Sequence, residues 1–294
     1  MFRKKGISLL VPTQNSEQTV ELCLRSFAEF PDEMIVVDNG STDRTIEIVR
    51  DLEGSIPNMR FYDAPHLKDL YANRQYALER SRYNWIVRID SDYVAYTDGL
   101  RDIRHLRERV LQTSRTLRPT VLGIKQVNVF HDIYHTGKEL QPRESSVGRW
   151  VSPPVSTLPA RIIQHYPGLR FKRLGRWEGI RFQRYLNHVK LEEPYWFHCT
   201  FKDPVVLLYR SERTNWRERG DFKRFPTLDT HVRTVIQEKY GTNDLKTAAE
   251  AFFAEHVAPL ITRYDPEKYY PFPTLLLEAQ EQQQSSLYRA VGGG

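Results

Sequence analysis

Trp85-Ile86-Val87-Arg88-Ile89-Asp90-Ser91-Asp92 sets an apolar run directly against two carboxylates one residue apart. An aromatic and β-branched run of this length, closed by acid, reads as a strand buried inside a sheet. The chain upstream repeats the design. Ile7–Val11 is a strand ended by Pro12, and Asn15 with Gln18 resembles a capping box ahead of Val20, Cys23, Leu24 and Phe27 at helical spacing. Met34–Val37 is a second strand closed by Asp38-Asn39-Gly40-Ser41, with Ile46, Val49 and Leu52 on the next helix. A third strand around Met59–Tyr62 and a helix near Leu67–Ser81 lead into the quoted run. Four strands alternating with three helices predict an α/β protein, a Rossmann-like and mostly parallel sheet flanked by helices. Ligands of such sheets sit at the carboxyl ends of the strands. Pro12-Thr13, Asp38-Asn39 and Asp90-Ser91-Asp92 are all expected there.

The chemistry follows from the residue types. Two carboxylates at one strand end suit a hard divalent cation such as Mg²⁺ or Mn²⁺, and such a cation can also bind a diphosphate. Asp38 can accept from the imide N–H of uracil or from ribose hydroxyls. Gly40 permits a tight turn into the following helix, Ser41 or Thr42 can cap it, and Asp43 suits its first turn. No G-x-G-x-x-G follows the first strand, which disfavours a nicotinamide- or flavin-dependent dehydrogenase, and the missing Gly-rich loop with Lys disfavours a P-loop kinase. A nucleotidylyltransferase would carry a Gly-rich Arg/Lys loop where Pro12-Thr13-Gln14-Asn15 stands.

Ile7–Asn15, Val36–Thr45 and Asn73-Arg74-Gln75-Tyr76-Ala77-Leu78 through Asp92 resemble, in order and spacing, the motifs of inverting family 2 glycosyltransferases with the GT-A fold. The resemblance covers about the first hundred residues. It implies a hexosyltransferase-like enzyme that takes a sugar from a nucleotide diphosphate, a UDP-sugar, with Mn²⁺ or Mg²⁺. It implies that Pro12 and Thr13 line the nucleotide pocket together with Asn15, Asn39, Gly40 and Ser91, that Asp38 contacts the base, that Arg74 approaches the nucleotide, and that Asp90 and Asp92 form a DxD motif holding ribose and metal. Gln75 stands where the family usually has Asn, and Gln14-Asn15-Ser16 where an Asn-Glu pair is typical.

Inverting transfer requires a base for the acceptor hydroxyl. Ala160–Phe171 followed by Gly175-Arg176-Trp177-Glu178 resembles the region that ends in His-Glu in a bacterial subgroup, which makes Glu178 the catalytic candidate and puts Trp177 in place of the His. Should Glu178 instead form a structural ion pair, Glu192, Glu193, Asp203 or a retaining mechanism would come forward. The resemblance also implies His198, after Tyr195-Trp196-Phe197, as a metal ligand. Asp203, Arg210, Arg213, Trp216 and Arg217 are candidates for a lid or a diphosphate clamp.

Composition bounds the rest. Of 294 residues, 40% are hydrophobic and 27% charged, the balance of a folded domain rather than a disordered chain. The net charge of +6 is concentrated: Arg161 to Lys190 holds eight Lys or Arg against the single acid Glu178. This favours an acidic or phosphate-bearing acceptor, whether glycan, lipid diphosphate or nucleic acid, and keeps open the alternative of a nucleic-acid-binding protein or a nucleic-acid-modifying glycosyltransferase. No run is apolar enough for a transmembrane segment and no signal-peptide core follows Met1, so a cytoplasmic protein is expected. Cys23 and Cys199 read as free thiols. The domains expected are a GT-A catalytic domain over 1–204, with a nucleotide-binding half 1–96 and an acceptor-side half 97–204, then a helical extension over 205–291 and a tail at 292–294.

Overall fold

The computed structural model describes residues 3–113, 117–139, 150–174, 177–180, 185–218 and 220–282. The chain begins β1 (Lys4–Thr13), α1 (Val20–Ser26), β2 (Glu33–Asp38), α2 (Thr45–Glu53), β3 (Met59–Asp63), α3 (Leu70–Arg80) and β4 (Tyr83–Arg88). It continues through β5 (Tyr93–Ala95), α4 (Ile103–Gln112), β6 (Thr120–Phe130), β7 (His135–Gly137), β8 (Val155–Gln164), β9 (Phe171–Leu174), β10 (Trp177–Ile180) and β11 (Asn187–Thr200). Helices α5 (Pro204–Glu218), α6 (Leu228–Tyr240) and α7 (Leu245–Phe252) and the short strand β12 (Ile261–Arg263) follow.

Eight strands form one sheet in the order β3-β2-β1-β4-β8-β6-β11-β5. The first four run parallel, with Thr13 opposite Asp38 and Leu10 opposite Arg88. The expected α/β architecture is the one that forms. Its uninterrupted apolar strands follow from burial on both faces. Ile7, Leu9 and Val11 of β1 join Met34 and Val36 of β2 and Trp85 and Val87 of β4 in a core on one face, together with α1, α2 and α4. Leu10, Ile35, Val37 and Ile86 point the other way, into a core shared with α3 and with Phe171 and Ile180 of the β9–β10 hairpin. Removing one such side chain leaves a cavity on a face with no room to collapse, costing about 2–5 kcal/mol.

The second half of the sheet departs from the parallel pattern. β8 runs antiparallel to β4, and β11 antiparallel to β5. Residues 140–149, ahead of β8, lie outside the described residues. Asn15 does not cap α1. That helix starts after Thr19, while Asn15 adopts a left-handed φ of 49° and lends its side chain to a neighbouring loop.

Away from the carboxyl strand ends, an acid inside the fold is fully matched. The Glu33 carboxylate, 1% exposed, accepts from Ser8 Oγ at 2.7 Å, from the Arg82 backbone N–H at 2.5 Å, and from Arg60 and Arg82 at 2.6 and 2.8 Å. Burial works to raise its pKa, but these partners outweigh it and hold the carboxyl below the ordinary range.

The contacts divide the chain into two compact units, Met1–Val127 with Thr157–His198 and Pro271–Gly294, and Asn128–Ser156 with Cys199–Tyr270. These limits differ from the domain boundary expected near residue 204. In the second unit Phe130, Leu207, Leu208, Val232, Ile236 and Phe252 form a core around α5, α6 and α7, and β7 pairs with β12. The helix ends follow the expected chemistry. Thr227 caps α6, Gly241 ends it at a φ of 64°, and Asp244 caps α7. Asp203, Arg210, Arg213, Trp216 and Arg217 all belong to this unit, where Arg210 lies 5.2 Å from the Trp150 ring and Trp216 donates to the Phe225 carbonyl.

Candidate functional site

The ends of β1, β2 and β4 carry two acidic loops. Register puts Thr13 beside Asp38, and Thr13 Oγ1 donates to Asp38 Oδ2 at 2.8 Å. Ser41 Oγ donates to the same oxygen at 2.5 Å, and the Gly40 and Ser41 amides donate to Oδ1 at 2.9 and 2.8 Å. A carboxylate has about four lone-pair sites, and here all are taken by neutral donors, three from its own turn and one from Thr13 at the end of β1. Asp38 is fully buried. In this arrangement it shapes the turn, its oxygens engaged by the Thr13 and Ser41 hydroxyls and the Gly40 and Ser41 amides.

The turn exists because Gly40 adopts a φ of 98° with only Pro65 within 4 Å of where a side chain would begin. Conformation, not space, requires glycine there. Asn15 braces the loop from outside, its Oδ1 accepting the Thr42 amide at 2.8 Å and its own amide donating to Ser41 Oγ at 2.8 Å. Asn39 is half-buried at the loop, and its Oδ1 lies 3.4 Å from the Asn73 amide nitrogen. Pro12 lies buried beneath.

The second loop is held by charge. Arg74, 1% exposed on α3, donates through Nη2 to Asp90 Oδ1 and through Nη1 to the Ile89 carbonyl at 3.3 Å. Arg161 on β8 reaches Asp90 Oδ2 at 3.4 Å and donates to the Tyr93 hydroxyl at 2.9 Å. Burial works to raise the Asp90 pKa, but Arg74, then Arg161, His198 and Arg88 prevail and hold this carboxyl well below the usual range. Ser91 is tied by its hydroxyl to Ser16 Oγ at 2.8 Å, a contact that fixes the loop. The Cys23 thiol, 3.6 Å from the Asp90 carbonyl, is kept protonated by burial and by Asp92.

Asp92 differs from Asp90. Its Oδ2 lies 3.5 Å from His198 Nε2, and its Oδ1 is buried with no hydrogen-bond partner among the described residues. The pairing of β11 with β5 sets His198 opposite Tyr93, and the Tyr93 ring meets the His198 imidazole edge-on at 5.1 Å. Gln126 Nε2 lies 3.5 Å from His198 Nδ1. An orphaned buried carboxylate oxygen beside an imidazole is a donor set that fits Mn²⁺ or Mg²⁺. Among the described residues no group of three His, Cys, Asp or Glu forms, so a cation here would take two protein ligands and fill its shell with phosphate oxygens and water.

The structure thus gathers Thr13, Asp38, Arg74, Asp90, Asp92 and His198 at one sheet edge. Glu178 lies on β10 opposite Arg173, but its side chain falls outside the described residues, as does Arg176. Arg161, read from sequence as part of a basic acceptor surface, is largely buried and engaged with Asp90. Sequence reading missed this role, because Arg161 is one of eight similar cations. The antiparallel register of Val87 with Ile162 brings it to the carboxyl end of β4, next to Asp90.

Residues 8–107 match the family model described as Glycosyl transferase family 2. Among curated proteins, the chain is 24% identical over 235 residues to a TPR repeat-containing protein of Synechococcus elongatus, spanning 80% of this chain and 50% of that one. It is 30% identical over 99 residues to an uncharacterized glycosyltransferase of Haemophilus influenzae, spanning 32% of this chain and 39% of that one. The chain therefore spans half or less of the length of these relatives. Among solved structures, TarS of S. aureus in complex with UDP-GlcNAc aligns at 17% identity and a TM-score of 0.44, over 86% of this chain and 76% of that one. Glucosyl-3-phosphoglycerate synthase of Mycobacterium tuberculosis in complex with Mn²⁺, UDP and phosphoglyceric acid aligns at 22% identity and a TM-score of 0.32, over 41% and 43%.

Proposed function

We propose that this chain, which carries a family 2 glycosyltransferase domain of the GT-A fold at residues 8–107, moves a sugar from a UDP-sugar to an acceptor hydroxyl with inversion at the anomeric carbon. The observation supporting this reading most directly is the unequal pair at the end of β4, with Asp90 held by two arginines and Asp92 left with an unpartnered buried oxygen against His198. In this reading Arg74 and Arg161 keep Asp90 ionised and fixed for the ribose, while Thr13, Asn39 and the loop built on Asp38 form the wall against the base. Asp92 and His198 would hold Mn²⁺ or Mg²⁺, which when bound supplies positive charge against the leaving diphosphate. The acceptor oxygen gives its proton to a carboxylate, for which Glu178 is the candidate, and attacks the anomeric carbon as the bond from that carbon to the phosphate oxygen breaks, releasing UDP.

The exposed Lys172 and Lys190 keep an acidic or phosphate-bearing acceptor in view. Among the described residues no helix is long and apolar enough to cross a membrane.

The test is a thermal-shift panel of UDP-, GDP-, CMP- and dTDP-sugars with and without Mn²⁺, since a ligand bound only by the native state raises its melting temperature. UDP-sugars should stabilise the protein and Mn²⁺ should increase the shift; indifference to every nucleotide sugar would sink the reading. For the base, Glu178→Gln should lower kcat by about 10²–10⁴-fold while the UDP shift persists on the same preparation. Near-normal transfer by that variant would remove Glu178 from the mechanism.

A further inference from the structure

Two acids one residue apart at a strand end would ordinarily compete for the same divalent cation, since both offer the oxygen ligands it prefers. Here they do not present themselves equally. Arg74 takes Asp90 Oδ1 from the α3 side, and Arg161 takes Oδ2 from β8 at 3.4 Å. The Arg161 side chain is only 14% exposed. Its direction is fixed a second time by the bond to the Tyr93 hydroxyl, and the Tyr93 ring stacks on Trp196 at 5.9 Å with 24° between planes while meeting His198 edge-on. Arg161 therefore reaches both the first carboxylate and the aromatic wall behind the imidazole. Asp92, two residues on, touches neither arginine in any hydrogen bond or ion pair among the described residues, and keeps one oxygen unpartnered.

Resting on the glycosyltransferase reading above, we propose that Arg161 is a positioning residue that reserves the cation seat for Asp92 and His198. By occupying the second oxygen of Asp90, it keeps that carboxylate turned toward the guanidinium groups and out of the coordination shell of a divalent metal. Arg74 alone leaves Oδ2 able to turn toward the cation. A planar guanidinium that bonds a carboxylate and a phenol at once fixes direction in a way a point charge does not.

The experiment is a double-mutant cycle read by the electron paramagnetic resonance signal of free Mn²⁺, with Mn²⁺ titrated into the whole chain in saturating UDP. Arg161→Gln should bind Mn²⁺ about tenfold more tightly than the wild type, because a carboxylate joins the shell. In the Asp90→Asn background the same change should have no effect. Arg161→Lys, which keeps the charge but loses the planar fork, should also tighten Mn²⁺ binding, though by less than Arg161→Gln, and again only while Asp90 is present. Tighter Mn²⁺ binding in both backgrounds would mean that only the lost positive charge matters and would overturn the proposal. Weaker binding in both would mean a general structural role and would overturn it too. If Arg161→Gln does not fold, Arg161→Lys carries the cycle, and tightening or loosening that persists in Asp90→Asn counts against the proposal in the same way. Wild-type protein that binds UDP but no Mn²⁺ would overturn both this inference and the metal part of the function, leaving the nucleotide reading standing.

Discussion

Asp38 and Asp90 close two strands that flank the same neighbour, β1, and reach the same sheet edge, yet they do opposite things. Asp38 is fully buried and held by four neutral donors from within its own turn or from the adjacent strand end. Asp90 keeps 31% of its side chain exposed and is held by two arginines that arrive from α3 and β8. The first arrangement is local and saturated, so it builds a loop. The second is long-range and charged, and it stands beside a carboxylate that still has an unpartnered oxygen, the arrangement proposed above as the cation site. Position at a strand end is the same in both; the source of the donors separates them.

The largest expected effect separates the loops by activity. Asp92→Asn should lower transfer by about 10²–10³-fold, the order seen when one preorganised electrostatic contact to developing charge is lost. It should also erase the Mn²⁺ dependence of UDP-induced stabilisation while leaving the melting temperature of the free protein within a few degrees. Undiminished metal dependence would remove Asp92 from the cation seat.

The next effect separates them by stability. Asp38→Ala strands two backbone amides and two hydroxyls in a partly buried turn and should cost about 2–4 kcal/mol in denaturant unfolding. UDP affinity of the folded protein should change little. Asp38→Asn should recover most of the loss, since the amide oxygen keeps the two N–H bonds and the hydroxyls of Thr13 and Ser41 can turn to accept. A stable Asp38→Ala protein that no longer binds UDP would reverse the comparison and restore Asp38 as a base contact.

The smallest effect concerns pH. Asp90 is held too low to titrate between pH 7 and 5, so the site loop should not weaken there. His165 should. Burial, helped by the charge of Arg3, pushes its imidazole down to about 4. An unfolded histidine takes up its proton near pH 6.5. The folded state is therefore favoured above that pH and loses the contribution of this group as pH falls toward 4. Wild-type stability should drop by about 1 kcal/mol between pH 7 and 5 beyond any drop in His165→Gln, roughly half of what the shift alone implies, because solvent screens the half-buried ring. Equal pH slopes in the two proteins would show that His165 titrates normally in the fold.

The amino-acid sequence by itself determined the strand–helix alternation, because a strand buried on both faces must be apolar throughout and its ends must be polar, and both are written locally in Ile7–Val11, Met34–Val37 and Trp85–Ile89. It also placed the acids at the sheet edge, since the residue after a buried strand is the first to meet solvent. Tertiary structure alone decided which acid does what. Asn15 looked like a helix cap by its spacing to Gln18, and became a brace for the Asp38 turn because Ser41 and Thr42 came within reach. Arg161 looked like surface charge, and became a partner of Asp90 because β8 lies antiparallel to β4. His198 met Asp92 because β11 pairs with β5. These contacts join residues far apart in the chain, and no local periodicity records them, because strand register is set by packing across the whole sheet.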